Sequence, residues 1–183
     1  MSREVATKQA GRELRRTVFS EEEIQARVVE MAQEITDDHG PDEDLLVLGL
    51  LKGSFIFMAD LVRNIHRPLQ LDFLVASSYG NSTESSGEVK LLYDPEASLE
   101  GRSVILVEDI VDSGTTLNRL IPLLEARGPK SLEICALLHK RVAVLDREPK
   151  WVGFDAPLEF LIGYGLDYSE NFRHLPFIGS IEG

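Results

Sequence analysis

Val104-Ile-Leu-Val-Glu-Asp-Ile-Val-Asp-Ser-Gly-Thr-Thr-Leu117 is an apolar run that ends in two adjacent acids and passes at once into a small-residue turn. Val104 to Val107 are β-branched or aliphatic without alternation, the pattern of a central strand in a parallel sheet covered on both faces. Leu117, Leu120, Ile121 and Leu124 follow at helical spacing, so a helix is expected to start at about Thr115. Glu108 and Asp109 thereby sit at the carboxyl end of a strand, where ligands bind in open α/β sheets.

The turn Asp112-Ser-Gly-Thr-Thr116 suits an anion. Successive N–H groups at a turn and helix start lack internal partners and converge, and the helix dipole favours negative charge there. Gly114 is free to take φ > 0, and the Ser113, Thr115 and Thr116 hydroxyls add donors. Three carboxylates beside such a site need other work: holding sugar hydroxyls or Mg²⁺, or taking a proton. The combination points to a phosphorylated sugar. A capped helix that binds nothing has the same outline, so spacing must discriminate. Gly-x-x-x-x-Gly-Lys-Ser/Thr is absent, which removes a P-loop. An EF-hand from Asp109 would need ligands where Val111, Ser113 and Leu120 stand. Asp109 and Asp112 are one residue too far apart for the Asp-x-Asp of haloacid-dehalogenase-type phosphatases.

Leu45 to Leu51 repeats the pattern, ending in Lys52-Gly53-Ser54 before a helical stripe of Met58, Leu61, Val62 and Ile65. Lys52 would offer an anion a point charge and Ser54 an N-cap, although alone this is an ordinary βα turn. Leu132 to Leu138 is another buried run, ending in His139-Lys140-Arg141. Alternating strand and helix patterns imply an α/β fold with a central, mostly parallel sheet flanked by helices.

Upstream, Ser20-Glu-Glu-Glu23 reads as a capping box, with Ile24, Val28, Met31, Ala32 and Ile35 as its helix stripe until Gly40-Pro41. Residues 1 to about 18 show no periodicity and are expected to be mobile, with Arg12, Arg15 and Arg16 as a solvated face. Leu71 to Ser77 reads as a strand and Val89 to Tyr93 as its return. The polar stretch between, about 78–88, is either a mobile lid that brings Ser78 and Tyr79 to a ligand or a hairpin without a role. Pro122 is expected to kink or break the helix after the central motif. From Trp151 onward aromatics interleave with Gly and Pro. Residues 150–183 are therefore expected to be irregular strand and loop, a small hood over the sheet edge of one domain spanning 19–183.

A chain of 183 residues can bury about 70% of its unfolded surface in one core. Its single cysteine, Cys135, lies inside an apolar run and permits no internal disulfide, which suits a reducing compartment. The first 16 residues are polar with charges of both signs, and no apolar run reaches transmembrane length. A cytoplasmic protein without membrane partners is expected. Nineteen basic against 31 acidic residues give a net charge of −12, which repels nucleic acid on average.

The central motif resembles, position by position, the phosphoribosyl-diphosphate (PRPP) site of the type I phosphoribosyltransferases. The resemblance runs from about Ser20 to Gly179 and is closest to the purine-salvage branch. It is carried also by Leu51-Lys-Gly-Ser54, Leu71-Asp-Phe with Ser78-Tyr79, Leu138-His-Lys140, Val152-Gly-Phe-Asp-Ala-Pro157 and Gly163-Tyr-Gly-Leu-Asp-Tyr168 with Phe172-Arg173.

The resemblance implies the type I phosphoribosyltransferase fold and Mg²⁺-assisted transfer of 5-phosphoribosyl from PRPP to N9 of hypoxanthine or guanine, with pyrophosphate released. It implies that Glu108 and Asp109 hold the ribose, and that Asp112, Ser113, Gly114, Thr115 and Thr116 hold the 5′-phosphate. Asp112 would also exchange a proton at purine N7. Leu51, Lys52, Gly53 and Arg173 would bind pyrophosphate, often through a cis peptide. Lys140 would reach purine O6, Phe160 would stack on the ring, and backbone near Leu161 and Asp167 would read its far edge. Glu108, Asp109 and Asp167 would serve metal. A homodimer or homotetramer is implied. Relatives usually carry a further Arg shortly after the lysine, whereas this chain has Val142-Ala-Val144 and next offers Arg147. A PRPP-sensing regulator on the same fold is the competing reading, opposed by the acidity and the complete set of purine-side motifs. A sugar phosphatase lacks its Asp-x-Asp.

Overall fold

The computed structural model describes residues 8–9, 11–78 and 89–181. The elements in chain order are β1 (Lys8–Gln9), β2 (Arg12–Phe19), α1 (Glu21–Asp38), β3 (Leu45–Leu51), α2 (Phe55–Asn64), β4 (Leu69–Ser78), β5 (Val89–Tyr93), β6 (Ser103–Val111), α3 (Thr115–Glu125), β7 (Ser131–His139), β8 (Trp151–Asp155), β9 (Phe160–Ile162) and β10 (Ile178–Ile181). The expected lid falls almost wholly outside the described residues, Tyr79 included; the backbone of Ser78 ends β4.

The main sheet has the order β5-β4-β3-β6-β7-β8, with every neighbouring pair parallel except β4 and β5. Its central strands are apolar on both sides because both sides are covered. Val47, Ile105, Val107, Cys135 and Leu137 face α1 and α2, which contribute Ile24, Val28, Met31, Ile35, Phe57, Met58 and Leu61. Leu46, Leu48, Leu106, Ile134 and Ala136 alternate to the other face against Leu117, Leu120, Ile121 and Leu124 of α3. Burial pushes the Cys135 thiol pKa up, so this sulfur packs as a small hydrophobe.

The capping box of α1 is present: Ser20 Oγ accepts from Glu23 N–H at 3.2 Å, and Glu23 Oε2 accepts from Ser20 N–H at 2.8 Å. Pro122 does not interrupt α3. It lies on the exposed side, where losing one backbone donor costs least, and Ala126 N–H still reaches Pro122 O at 3.0 Å.

A second, antiparallel sheet runs β1-β2-β10-β9 and forms the hood. Two expectations change here. Arg12–Phe19 is a strand rather than a mobile segment, because β10 offers it a partner edge. Trp151–Asp155 is not irregular cover; it joins the main sheet as its edge strand beside β7. The hood is therefore built from both ends of the chain around Ile162, Phe172, Leu175 and Ile181. It is strapped to the body by Phe19 stacked on Phe154 at 4.3 Å and by Tyr164, whose hydroxyl donates to Asp60 Oδ2 at 2.6 Å.

Candidate functional site

β3, β6 and β7 point their carboxyl ends at one corner beneath the hood, and their end residues assemble there. At the end of β6 the Glu108 carboxyl is turned inward, its Oε2 sealed from solvent without a hydrogen-bond partner. Burial first, and the neighbouring Asp109 charge second, push its pKa well above the usual carboxylate range. Burial likewise raises Asp109 to about 6, against the bond its Oδ1 accepts from Ile110 N–H at 2.8 Å.

The next turn is shaped by Gly114, at φ 84°. A Cβ there would run into Val144 O, so only glycine lets the segment after Lys140 lie against the turn. That segment is held by Val144 N–H donating to Ser113 O at 3.2 Å and by Asn118, whose Nδ2 donates to Val144 O at 2.8 Å and whose Oδ1 accepts from Asp146 N–H at 3.0 Å. Nothing in the sequence marked Asn118 for this; an amide on the exposed side of a helix is ordinary. Ser113, Gly114 and Thr116 line a cavity of about 80 Å³ together with Glu108, Asp112 and Leu117. Two larger hollows, about 510 and 500 Å³, open beside Ser103 and beside Ser131, at the amino ends of β6 and β7.

Lys140, buried just beyond β7, places Nζ 3.1 Å from Asp112 Oδ1. Arg147 does not approach the site. It donates to Leu132 O at 2.8 Å and pairs with Glu125 near the other end of the sheet. Arg141 is likewise engaged elsewhere, donating to Asp155 Oδ1 at 2.6 Å.

At the end of β3 the Leu51–Lys52 peptide is cis. Ser54 does not cap α2 with its side chain; its buried hydroxyl donates back to Leu50 O at 2.7 Å and pins the turn to the strand. Gly53 packs directly on the Asp109 carboxylate, and Gly165 of the hood, at φ 101°, packs directly on Gly53 O; a Cβ at either glycine would overlap what it faces. Turn and hood thus meet as backbone against backbone, and the turn meets the body on a carboxylate. From the hood, Arg173 donates to Gly165 O at 2.7 Å and pairs with Asp167 at 2.8 Å and with Glu170 at 3.3 Å. Glu170 Oε2 also accepts from Lys52 Nζ at 3.2 Å. One carboxylate therefore bridges both cations, and Lys52 first, then Arg173, hold its pKa below the ordinary range.

Phe160 opens β9 and is 46% exposed, while the adjoining Leu161 is buried. Tyr168 meets the Phe160 ring edge to face, centroids 5.7 Å apart. Among the described residues no three or more His, Cys, Asp or Glu gather as a metal cage.

A mostly parallel sheet with tight turns at its carboxyl ends, buried acids beside them and a hood above is the architecture shared with the phosphoribosyl transferases. The phosphoribosyl transferase domain model matches residues 17–169. A hypoxanthine-guanine phosphoribosyltransferase of Dictyostelium discoideum is 46% identical over 92% of this chain and 96% of its own length. One from Bacillus subtilis is 46% identical over 93% and 94%. Among solved structures, a hypoxanthine phosphoribosyltransferase from Staphylococcus aureus superposes with a TM-score of 0.87 at 42% identity, covering 92% of both chains. A hypoxanthine-guanine phosphoribosyltransferase from Bacillus anthracis gives 0.86 at 46% identity, covering 92% of this chain and 99% of that one. The chain belongs to the hypoxanthine-guanine phosphoribosyltransferase family.

Proposed function

We propose that this protein salvages 6-oxopurines by transferring 5-phosphoribosyl from PRPP to N9 of hypoxanthine and guanine, giving IMP or GMP and pyrophosphate. The observation that carries this reading is the Asp112–Lys140 pair at 3.1 Å, a carboxylate and an ammonium held together above an amide-lined turn. A 6-oxopurine presents its N7 proton and its O6 acceptor side by side on one edge, which that pair complements. Adenine offers an amino donor where Lys140 needs an acceptor.

The Ser113 to Thr116 turn binds the 5′-phosphate by its amides and hydroxyls, and Glu108 and Asp109 hold the ribose hydroxyls. Phe160 stacks on the base, and backbone at Leu161 and Asp167 reads its far edge. N9 attacks C1′ as the bond from C1′ to the pyrophosphate oxygen breaks, and the N7 proton passes to Asp112. Lys52, Arg173 and the Leu51 to Gly53 backbone stabilise charge developing on pyrophosphate. Proton transfer in the transition state is worth about 10²–10⁴ in rate.

Mg²⁺ fits this donor set. It is ordinarily held by one or two carboxylates with substrate phosphate oxygens completing the shell, and Glu108, Asp109 and Asp167 would supply such carboxylates without forming a full cage. When bound, it would neutralise pyrophosphate charge. Ser78 and Tyr79 are assigned to the lid that excludes water from the reactive sugar.

Assembly as a homodimer or homotetramer is supported by Leu71 and Phe73 of β4 and Leu92 and Tyr93 of β5, which crowd exposed apolar surface onto one edge of the main sheet. A cytoplasmic setting is supported by a single cysteine kept as a buried thiol. Nucleotide formation from PRPP and Mg²⁺ with hypoxanthine, guanine, xanthine and adenine in parallel tests the whole reading. Product from hypoxanthine or guanine and none from adenine is expected; PRPP binding without product from any base would replace it with the regulator.

A further inference from the structure

Among the described residues, Phe160 has one aromatic contact, and it comes from Tyr168. The rings stand at 85° with centroids 5.7 Å apart, so Tyr168 restrains the plane of Phe160, a residue that stays 46% exposed. Tyr168 is itself fixed. Its N–H donates to Asn171 O at 3.2 Å, Asn171 N–H donates back to Tyr168 O at 3.0 Å, and its ring packs on the hood cluster of Ile162, Phe172 and Leu175. On its far side lies Arg12 of β2, whose Nε donates to the Tyr168 hydroxyl at 3.4 Å and whose guanidinium carbon is 5.4 Å from the ring centroid. Arg12 stands on a strand docked beside β10, the same strand that pairs with the β9 segment carrying Phe160.

We propose that Arg12 and Tyr168 are positioning residues for purine binding: Tyr168 sets the angle of the Phe160 ring, and Arg12, brought from the other end of the chain, holds Tyr168. The inference rests on Phe160 being the stacking platform. A stacked base gains most from a ring already held in the bound orientation, since the side-chain entropy of ordering it is then lost before the base arrives. The Arg12–Tyr168–Phe160 side-chain contacts include neither the phosphate turn nor Lys52 or Arg173, so the largest effect is expected on the purine.

Steady-state assays with hypoxanthine and PRPP varied separately test this in Phe160→Leu, Tyr168→Leu, Tyr168→Phe and Arg12→Gln. Tyr168→Leu is expected to raise the hypoxanthine KM about 3- to 10-fold, the size of one aromatic pair, with the PRPP KM within about 2-fold of the parent. Tyr168→Phe keeps the edge and should stay near the parent, and Arg12→Gln should raise the hypoxanthine KM about 2-fold. Added to Phe160→Leu, Tyr168→Leu should do nothing further. A rise in both KM values together would mean that Tyr168 only holds the hood up, and the proposal falls. It falls equally if Phe160→Leu weakens hypoxanthine while Tyr168→Leu and Arg12→Gln do not. An unaffected Phe160→Leu would instead place the failure in the stacking assignment beneath it. Should Tyr168→Leu fail to fold, Arg12→Gln decides on its own.

Discussion

The corner at the end of β6 and the hood above it are built on opposite plans. In the corner, acids, turn and helix start follow one another directly from Glu108 to Thr115, at the end of the buried sheet. In the hood, Arg16 pairs with Glu159, 143 positions away, and Arg12 reaches Tyr168 across 156. The corner is made by sequence neighbours and the hood by distant partners. Substitutions should therefore divide: those in the corner abolish chemistry, and those in the hood alter recognition and local order.

Asp112→Asn presses the corner hardest. It keeps the shape and removes the proton acceptor, so kcat should fall about 10²–10⁴-fold with PRPP affinity little changed. Unchanged turnover would remove Asp112 from the mechanism and erase the contrast. Gly165→Ala probes the seam. Its left-handed backbone disfavours a side chain, and the new methyl would meet Gly53 O. A loss of about 1–3 kcal/mol is expected, read as a fall in thermal midpoint of about 2–12 °C, with activity lost alongside. An unshifted midpoint would show that the two regions are not in close register.

Glu170→Gln removes the carboxylate that bridges Lys52 and Arg173. Pyrophosphate no longer has to displace it, so calorimetric titration with Mg²⁺ and pyrophosphate should show binding about 2- to 5-fold tighter, the scale of exposed ion pairs. Weaker binding would assign Glu170 to holding the cations in place.

The mildest test lies on the exposed face of the hood. Arg16 holds the Glu159 carboxyl at about 2, below its ordinary 4.5, first through their hydrogen bond. A depressed carboxylate stabilises above its unfolded pKa and loses that contribution as pH falls toward the folded one. The difference in thermal midpoint between the parent and Glu159→Gln should be present at pH 5 and shrink between about 4.5 and 2; a constant difference would mean that the charge is not involved.

The same division explains what could be read without coordinates. The start of α3 at Thr115 and the strand before it were legible because caps, periodicity and glycine act over a few residues. Lys140 and Asp112 could be nominated singly, but their 3.1 Å approach depends on β6 and β7 lying side by side. β2 escaped notice because none of its residues is fully buried and it becomes a strand only when β10 supplies an edge. β8 was misread because Gly153, packed against Leu137 O, disguises an edge strand as loop. Ser54 looked like a cap and proved to bond backward, a choice set by the tight turn before it.

The pairing of β2 with β10 also sets an order of events during synthesis. β10 leaves the ribosome about 160 residues after β2. At about 5–20 residues per second that is a wait of roughly 10–30 s. Through that interval β3 to β8 can collapse into a finished sheet with the turn after β6 formed. The nascent protein therefore completes that corner before it acquires the hood that stands over it.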